Sequence, residues 1–363
     1  MNNTKHIIGS IARTVLAVVF LFSGFVKAVD PLGTVYKIED YLKAFGGFFT
    51  DLLPLAGVAA VCLIMAEMLL GFCMLTNVRT QWTSWLSLVF YGIMTPLTLW
   101  IALTNPVSDC GCFGDAIVLS NWQTFWKNVV LIALVVVLLV CRKAVPQTWR
   151  WQWEIAIAVV GALLCGAVMF HSYTHLPNFD FRPYKIGNNI PELMEIPEDA
   201  EQDEYEITLI YEKDGQEQEF TLQNYPKGDP DWHFVDQKSK LIKKGYEAPI
   251  HDFELINQDY EDITYDLLES EEVVTLIIMY DLTKTRLQEI DKVRALVGSD
   301  WNTYMVSGSG EEQVMQFCLD NDLPMERFLS CDPVTLKTIV RANPGVIQIQ
   351  NGTIINKYNL RNK

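Results

Sequence analysis

The stretch Asp109-Cys110-Gly111-Cys112-Phe113-Gly114-Asp115 sets two thiols one glycine apart between two carboxylates. Three chemistries fit that spacing. A Cys-x-Cys pair can close a small disulfide, with glycine supplying the backbone freedom, and a strained, exposed disulfide exchanges readily. The same residues can form an ordered turn or a structural bridge. The third option, a metal site, is poorly supplied: a structural zinc needs four ligands, and the loop holds no histidine. No metal is expected. Asp109 and Asp115 disfavour a thiolate unless Lys127 or Lys27 approaches from a helix end.

A second group of reactive side chains lies upstream. Glu67 sits inside the apolar run LIMAEMLLGFCML, where a carboxylate needs a partner or a function. Counting residue depth from the ends of the apolar runs brings Arg13 within reach of Glu67, so the two are expected to pair. A proton-handling or quinone-side role for Glu67 is the functional alternative. Lys27 is expected to snorkel to the membrane surface. Cys62, Cys73, Cys141 and Cys165 read as packing residues, and His171 has no evident partner.

The elements that must position these groups follow from composition. Residues 1–173 hold 8 Asp/Glu and 10 Lys/Arg, whereas residues 174–363 hold 36 and 18. A near-neutral half is thus joined to a strongly acidic one, which argues for two regions in different solvents. The first half contains five apolar runs of about 20 residues, enough to span a bilayer, at roughly 7–29, 53–76, 82–104, 124–142 and 152–173. Tryptophans flank them, as at a membrane interface. Lys5, Arg13, Arg79, Arg142, Lys143 and Arg150 cluster on one set of ends, while Lys37 and Lys43, in the first loop on the other side, count against the bias and share that loop with Glu39, Asp40 and Asp51. The loop between the third and fourth runs has no basic residue between Thr104 and Trp126. The positive-inside bias then places the N-terminus in the cytoplasm. Both the Cys-Gly-Cys loop and the C-terminal half fall outside a cytoplasmic (inner) membrane, in a compartment that permits disulfides.

Several pieces now combine in order: Ser23-Gly24, Lys27 and Asp30-Pro31 at the end of the first run, Glu67 in the second, CGCFGD after the third, and NWQTFWKNVVL opening the fourth. Over residues 8–143 this set resembles the DoxX/MauE group of redox-associated membrane proteins. The resemblance implies a four-helix bundle and a part in thiol or disulfide handling outside the membrane. The fifth run and everything after it lie beyond that core.

Residues 174–206 are rich in Pro, Asn and acid and read as an extended linker. YEITLIYEKDGQEQEFTLQNY alternates apolar and polar residues around Asp214-Gly215, the pattern of a β-hairpin. From Glu247 onward the expected order is a short hairpin (HDFELINQ, EDIT) and a buried central strand in EEVVTLIIMYD. A helix over 283–297, the strand WNTYMVSG, a helix over 310–321, the strand RFLSCD and a helix from Pro333 follow. A hairpin around Asn351-Gly352 closes the chain. This order indicates an α/β sandwich with a mixed sheet. It resembles the thioredoxin-like fold of peroxiredoxin and TlpA-type domains, and Pro344 matches their cis-proline. Such enzymes carry Cys-x-x-Cys at the start of the helix after the central strand. Here Thr283, Lys284, Thr285, Arg286 and Leu287 stand instead, so thiolate chemistry at that point is excluded. Cys318 and Cys331 read as buried, inert thiols, with a bridge between them as the lesser alternative.

The expected organisation is a membrane helix bundle over 1–150, a fifth membrane helix over 151–173, a linker with a small β-hairpin insert over 174–246, and a thioredoxin-like domain over 247–363. The expected function is handling of thiol/disulfide equivalents through Cys110 and Cys112, with extracytoplasmic thiol proteins as clients and the thiol-free domain holding them. The alternative is a membrane-anchored scaffold whose Cys-Gly-Cys disulfide is structural. A membrane quinone is compatible with the first reading, but nothing in the sequence indicates one. The exposed half is too acidic for a nucleic-acid partner.

Overall fold

The computed structural model describes every residue except Met1, Ser108, Pro146, Gln147, Asn178, Asp214, Lys244 and Lys363. Asp214, half of the expected hairpin turn, therefore lies outside the described residues. Its neighbour Gly215 has a φ of +78°.

Five helices are long and apolar enough to cross a membrane. They include α1 (Asn2–Val29), and a second helix, α2 (Pro31–Phe45), follows α1 directly. Asp30 caps α2 by accepting from Gly33 N, and Pro31 occupies its first turn. Sequence reading treated this segment as loop. A 3₁₀ stretch (Gly47–Leu55) then leads into α3 (Ala56–Leu75). α4 (Thr80–Thr104), α5 (Asn121–Cys141) and α6 (Trp151–Thr174) complete the bundle. Small residues let α1 and α3 approach closely. A Cβ on Gly71 would stand 2.7 Å from Leu21 N, and one on Gly24 would stand 3.0 Å from Met68 N. Leu16, Phe20, Met74, Val135 and Leu138 fill the core between α1, α3 and α5. α6 lies against α3, with Gly161 facing Phe72. Of the cysteines read as packing residues, Cys141 and Cys165 are buried and Cys73 is half-buried, but Cys62 is exposed.

The segment read as a linker is largely structured. It contains α7 (Ile190–Met194), and Tyr184 and Ile190 are buried in the core of the C-terminal domain. Ile190 N donates to Gly352 O, and Gly187 N donates to Ile354 O. Arg182 is buried beside Asp180, which also accepts from Lys357 Nζ at 2.6 Å. The C-terminal domain therefore begins near residue 180 and not at 247. Out of that segment projects an antiparallel sheet of β1 (Glu204–Lys213), β2 (Gln216–Thr221) and β3 (His233–Lys243), ordered β2-β1-β3. The expected hairpin is thus a three-stranded sheet.

The expected first hairpin is reduced to an isolated bridge between Ile256 and Asp262. After α8 (Thr264–Leu268) come β4 (Val274–Ile278), α9 (Ile290–Ser299), β5 (Thr303–Ser307), α10 (Glu311–Asn321), β6 (Phe328–Ser330), α11 (Pro333–Ile339), β7 (Gly345–Gln350) and β8 (Thr353–Asn359). The helix expected over 283–297 begins only at Ile290, preceded by two 3₁₀ turns at Leu282–Lys284 and Leu287–Glu289. The sheet order is β6-β5-β4-β7-β8; β4, β5 and β6 run parallel, while β7 and β8 pair antiparallel. The Asn343–Pro344 peptide is cis. Alternate residues of β4 enter separate cores. Leu276 and Ile278 pack with Cys331 on one side, and Ile277 packs with Cys318 on the other. The sheet thus separates the two thiols, which excludes a bridge between them. Burial pushes Cys318 up to about 11 and Cys331 up to about 12.

Candidate thiol site

Cys110 and Cys112 lie in the loop between α4 and α5. Their sulfurs are 3.1 Å apart, as free thiols in hydrogen-bond contact. The backbone around them is held without any disulfide. Asp109 accepts from Gly111 N at 2.7 Å and pairs with Lys37 of α2 at 2.7 Å. Tyr41, one turn further along α2, donates to Cys110 O at 2.6 Å. Gly111 takes a φ of +64°, where a Cβ would also stand 3.1 Å from the Lys37 side chain. Gly114, at φ +51°, sits against Val26. Phe113 packs edge-on against Phe22, with Lys127 Nζ 4.4 Å above its ring.

Beneath the loop lies a buried ionic cluster. Lys27 Nζ donates to Ser23 Oγ at 2.7 Å, to Glu67 Oε2 at 2.9 Å and to Cys112 O at 2.6 Å, which uses all three of its protons. Ser23 Oγ lies 2.9 Å from Glu67 Oε2 and 2.8 Å from Cys112 O. Lys27 and Glu67 are 7 % and 4 % exposed, so each charge depends on the other. This corrects two expectations. Glu67 pairs with Lys27 and not with Arg13, whose guanidinium instead donates to the carbonyls of Met74 and Leu75. Lys27 does not snorkel; it turns into the bundle. The reason is helical geometry: side chains tilt towards the N-terminus of their own helix. From α1, Lys27 therefore reaches back to the level of Ser23 and Glu67, and Arg13 reaches back to the end of α3.

The two thiols are made unequal. Cys112 is pulled down to about 6, first by the hydrogen bond from Cys110 and then by Lys127 and Lys27, against the opposing effects of burial and Glu67. Cys110 is pushed up by that same hydrogen bond and by burial. Both lysines named from the sequence thus approach the thiols. The flanking aspartates diverge: Asp109 is engaged by Lys37, whereas burial raises Asp115. A cavity of about 20 Å³ beside Cys112, Glu67, Tyr91, Lys127 and Asn128 has room for about one water.

One comparison covers this region. The model of the family described as Methylamine utilisation protein MauE matches residues 5–141. Residues 5–141 are similar to the MauE family. All of the thiol site described above falls inside that stretch, and the protein is a multi-pass membrane protein with a MauE-like bundle. Residues 205–244, the β1–β3 sheet, match a family described as Domain of unknown function (DUF8463). No curated protein and no solved structure matches the chain.

Sequence reading singled out Cys110, Cys112, Ser23, Lys27 and Glu67, and the fold brings all five together. It missed Lys37 and Tyr41. Their i, i+4 spacing places them on one face of a helix, a signal that became readable only with α2 assigned. Pro344 directly precedes β7. His171 stacks on His175 at 4.9 Å, near the end of α6. Among the described residues, no group of His, Cys, Asp and Glu is arranged to hold a metal ion.

Proposed function

We propose that the Cys110–Cys112 pair exchanges thiols and disulfides with protein clients on the extracytoplasmic side of a cytoplasmic membrane. The carrying observation is the pair itself: two sulfurs in contact, one with its thiolate favoured, in a loop that hydrogen bonds already hold in place. A structural bridge would be redundant there, which weighs against the scaffold alternative. The orientation rests on the distribution of Lys and Arg among the short loops.

The exchange needs no further co-reactant. The Cys112 thiolate attacks one sulfur of a client disulfide, forming a mixed disulfide and releasing the other client sulfur as a thiolate. Cys110 then gives its proton to the released client thiolate and attacks Cys112 Sγ, closing the Cys110–Cys112 disulfide and releasing the second client sulfur as a thiolate. Two electrons pass to the client, and the reverse sequence oxidises a client dithiol. The Cys112 thiolate holds the Cys110 proton, so consuming that charge in the mixed disulfide frees Cys110 to attack in turn.

The C-terminal domain is read here as thioredoxin-like. Support comes from its strand order, from the cis-proline before β7, and from the 3₁₀ turns between β4 and α9, where Thr283–Leu287 stand in place of the usual thiols. Its part is to shape access to the membrane-domain thiols.

The test is the redox state of Cys110 and Cys112 in native membranes, trapped with an alkylating mass tag across a series of glutathione potentials. A pair that cycles near the compartment's poise is the expected result. A pair that stays oxidised until potentials below about −300 mV, or that never oxidises, would sink the reading.

A further inference from the structure

The C-terminal domain is seated on the bundle by its own degenerate site edge. Asp30, at the junction of α1 and α2, accepts from Arg341 Nε at 2.9 Å and from Arg341 Nη2 at 2.8 Å. The pair is largely buried, with side chains 20 % and 10 % exposed. Tyr36 of α2 lies under Lys337, 5.2 Å from ring centre to Nζ, and under Arg341 at 5.4 Å. Tyr280, two residues beyond β4, contacts the same Tyr36. Phe179 packs edge-on against Phe25, and Asn362 Nδ2 donates to Thr174 O at 2.9 Å. The edge that holds clients in a thioredoxin-like domain thus faces the α2 helix of its own chain.

Between the two parts remains a chamber of about 320 Å³, at the small end of ligand pockets. Gly111, the residue between the two thiols, forms part of its wall, with Asp115 beside it and Lys337 and Arg341 opposite. Most charges around it are already paired: Arg341 with Asp30, Arg182 with Asp180, and Lys37 with Asp109. Lys337, Asp115 and, on α2, Glu39, Asp40 and Lys43 also line it and make no side-chain hydrogen bond to the described residues, so charges of both signs face the space.

We infer that this chamber is the access port of the thiol pair. It takes a cysteine carried on a thin, extended peptide segment bearing both charges, and the Asp30–Arg341 pair sets its width. The inference rests on the proposed exchange reaction for the identity of the client, but not for the geometry of access. A folded client surface is excluded while the pair is closed. A disulfide on a flexible tail is admitted.

The test uses the reduced full-length protein and compares alkylation of Cys110 and Cys112 by N-ethylmaleimide and by a maleimide on a bulky polymer. In the wild type the slim reagent reacts faster by about tenfold or more, as expected when the bulky one must wait for a local opening. Arg341→Gln and Asp30→Asn each close most of that gap by accelerating the bulky reagent. S-methylglutathione, a short charged peptide without a free thiol, slows the slim reagent in the wild type and fails to do so in Lys337→Met. Equal rates for both reagents in the wild type overturn the port without needing any variant, as does a gap that persists in both latch variants. Alkylation requires only free thiols. A port confirmed here, with a pair that fails to cycle in the redox titration, would leave the access geometry standing and remove the exchange reaction.

Discussion

Lys27 Nζ lies 2.9 Å from Glu67 Oε2 and 2.6 Å from the carbonyl oxygen of Cys112, so one buried ammonium joins α1, α3 and the thiol loop. That single contact ties the ionic balance of the bundle to the position of the reactive residue. The site is therefore one unit, and substitutions in the bundle will be felt at the loop.

The first prediction concerns that pair. Glu67→Gln leaves Lys27 charged and without a counter-ion in the bundle core, and Lys27→Met does the converse. Breaking a buried pair from one side costs about 3–5 kcal/mol, whereas removing both charges together costs far less. Thermal unfolding in detergent should rank the Lys27→Met/Glu67→Leu double variant above either single one. If the three melt alike, the pair carries no structural weight.

The second concerns pH. The reactive form of Cys112 is the thiolate, so alkylation should be near its plateau above about pH 6 and fall about tenfold for each pH unit below. Cys110→Ala removes the hydrogen bond that contributes most to that low value and should move the midpoint upward. Lys127→Met should move it in the same direction by less. A wild-type midpoint near the ordinary cysteine range of about 8.5 would contradict the arrangement.

These contacts show what the sequence could and could not disclose. The five spans, the Cys-Gly-Cys loop and the order of the C-terminal strands follow from apolar period and turn chemistry, which are local. The partner of Glu67 is not local. Counting depth from the ends of the apolar runs selected Arg13, because such a count ignores the direction in which side chains leave a helix. The α2 helix was missed although Asp30, Pro31 and Gly46 mark its ends, because its charged residues were weighed as loop charges. The burial of Arg182, Tyr184 and Ile190 depends on β7 and β8 more than 150 residues away, and a stretch rich in Pro and Asn carries no periodic sign of it.

The third prediction tests the loop backbone. Gly111→Ala forces an L side chain into a left-handed conformation, a strain of about 1–2 kcal/mol, and drives its Cβ against Lys37. The loop should shift and the sulfurs separate. Slower closure of the Cys110–Cys112 disulfide under a fixed oxidant, at unchanged Cys318 and Cys331 reactivity, is the expected readout. Unaltered closure would show that the left-handed turn is not needed.

The fourth follows from the sheet that divides the C-terminal domain. Cys318 and Cys331 occupy cores on opposite faces, and burial keeps both protonated at neutral pH. After oxidant treatment of the native protein, both should remain free, resist alkylation, and react only on unfolding. Peptide mapping that recovers a Cys318–Cys331 bridge would contradict the sheet topology itself.

The last prediction separates the two loop cysteines by role. The structure favours the thiolate on Cys112 and the proton on Cys110, which makes Cys112 the attacking sulfur and Cys110 the resolving one. With Cys110→Ser the first exchange still proceeds, but the mixed disulfide has no second thiol to release it. A client or a model disulfide should therefore accumulate covalently on Cys112, visible as a reducible mass shift. Cys112→Ser leaves only the thiol whose proton is held most firmly, and it should trap little or nothing. Equal trapping by both variants would mean that the lysines beneath the loop do not distinguish the sulfurs. Trapping through Cys110 alone would reverse the assignment and place the attacking thiolate on the Tyr41 side of the loop.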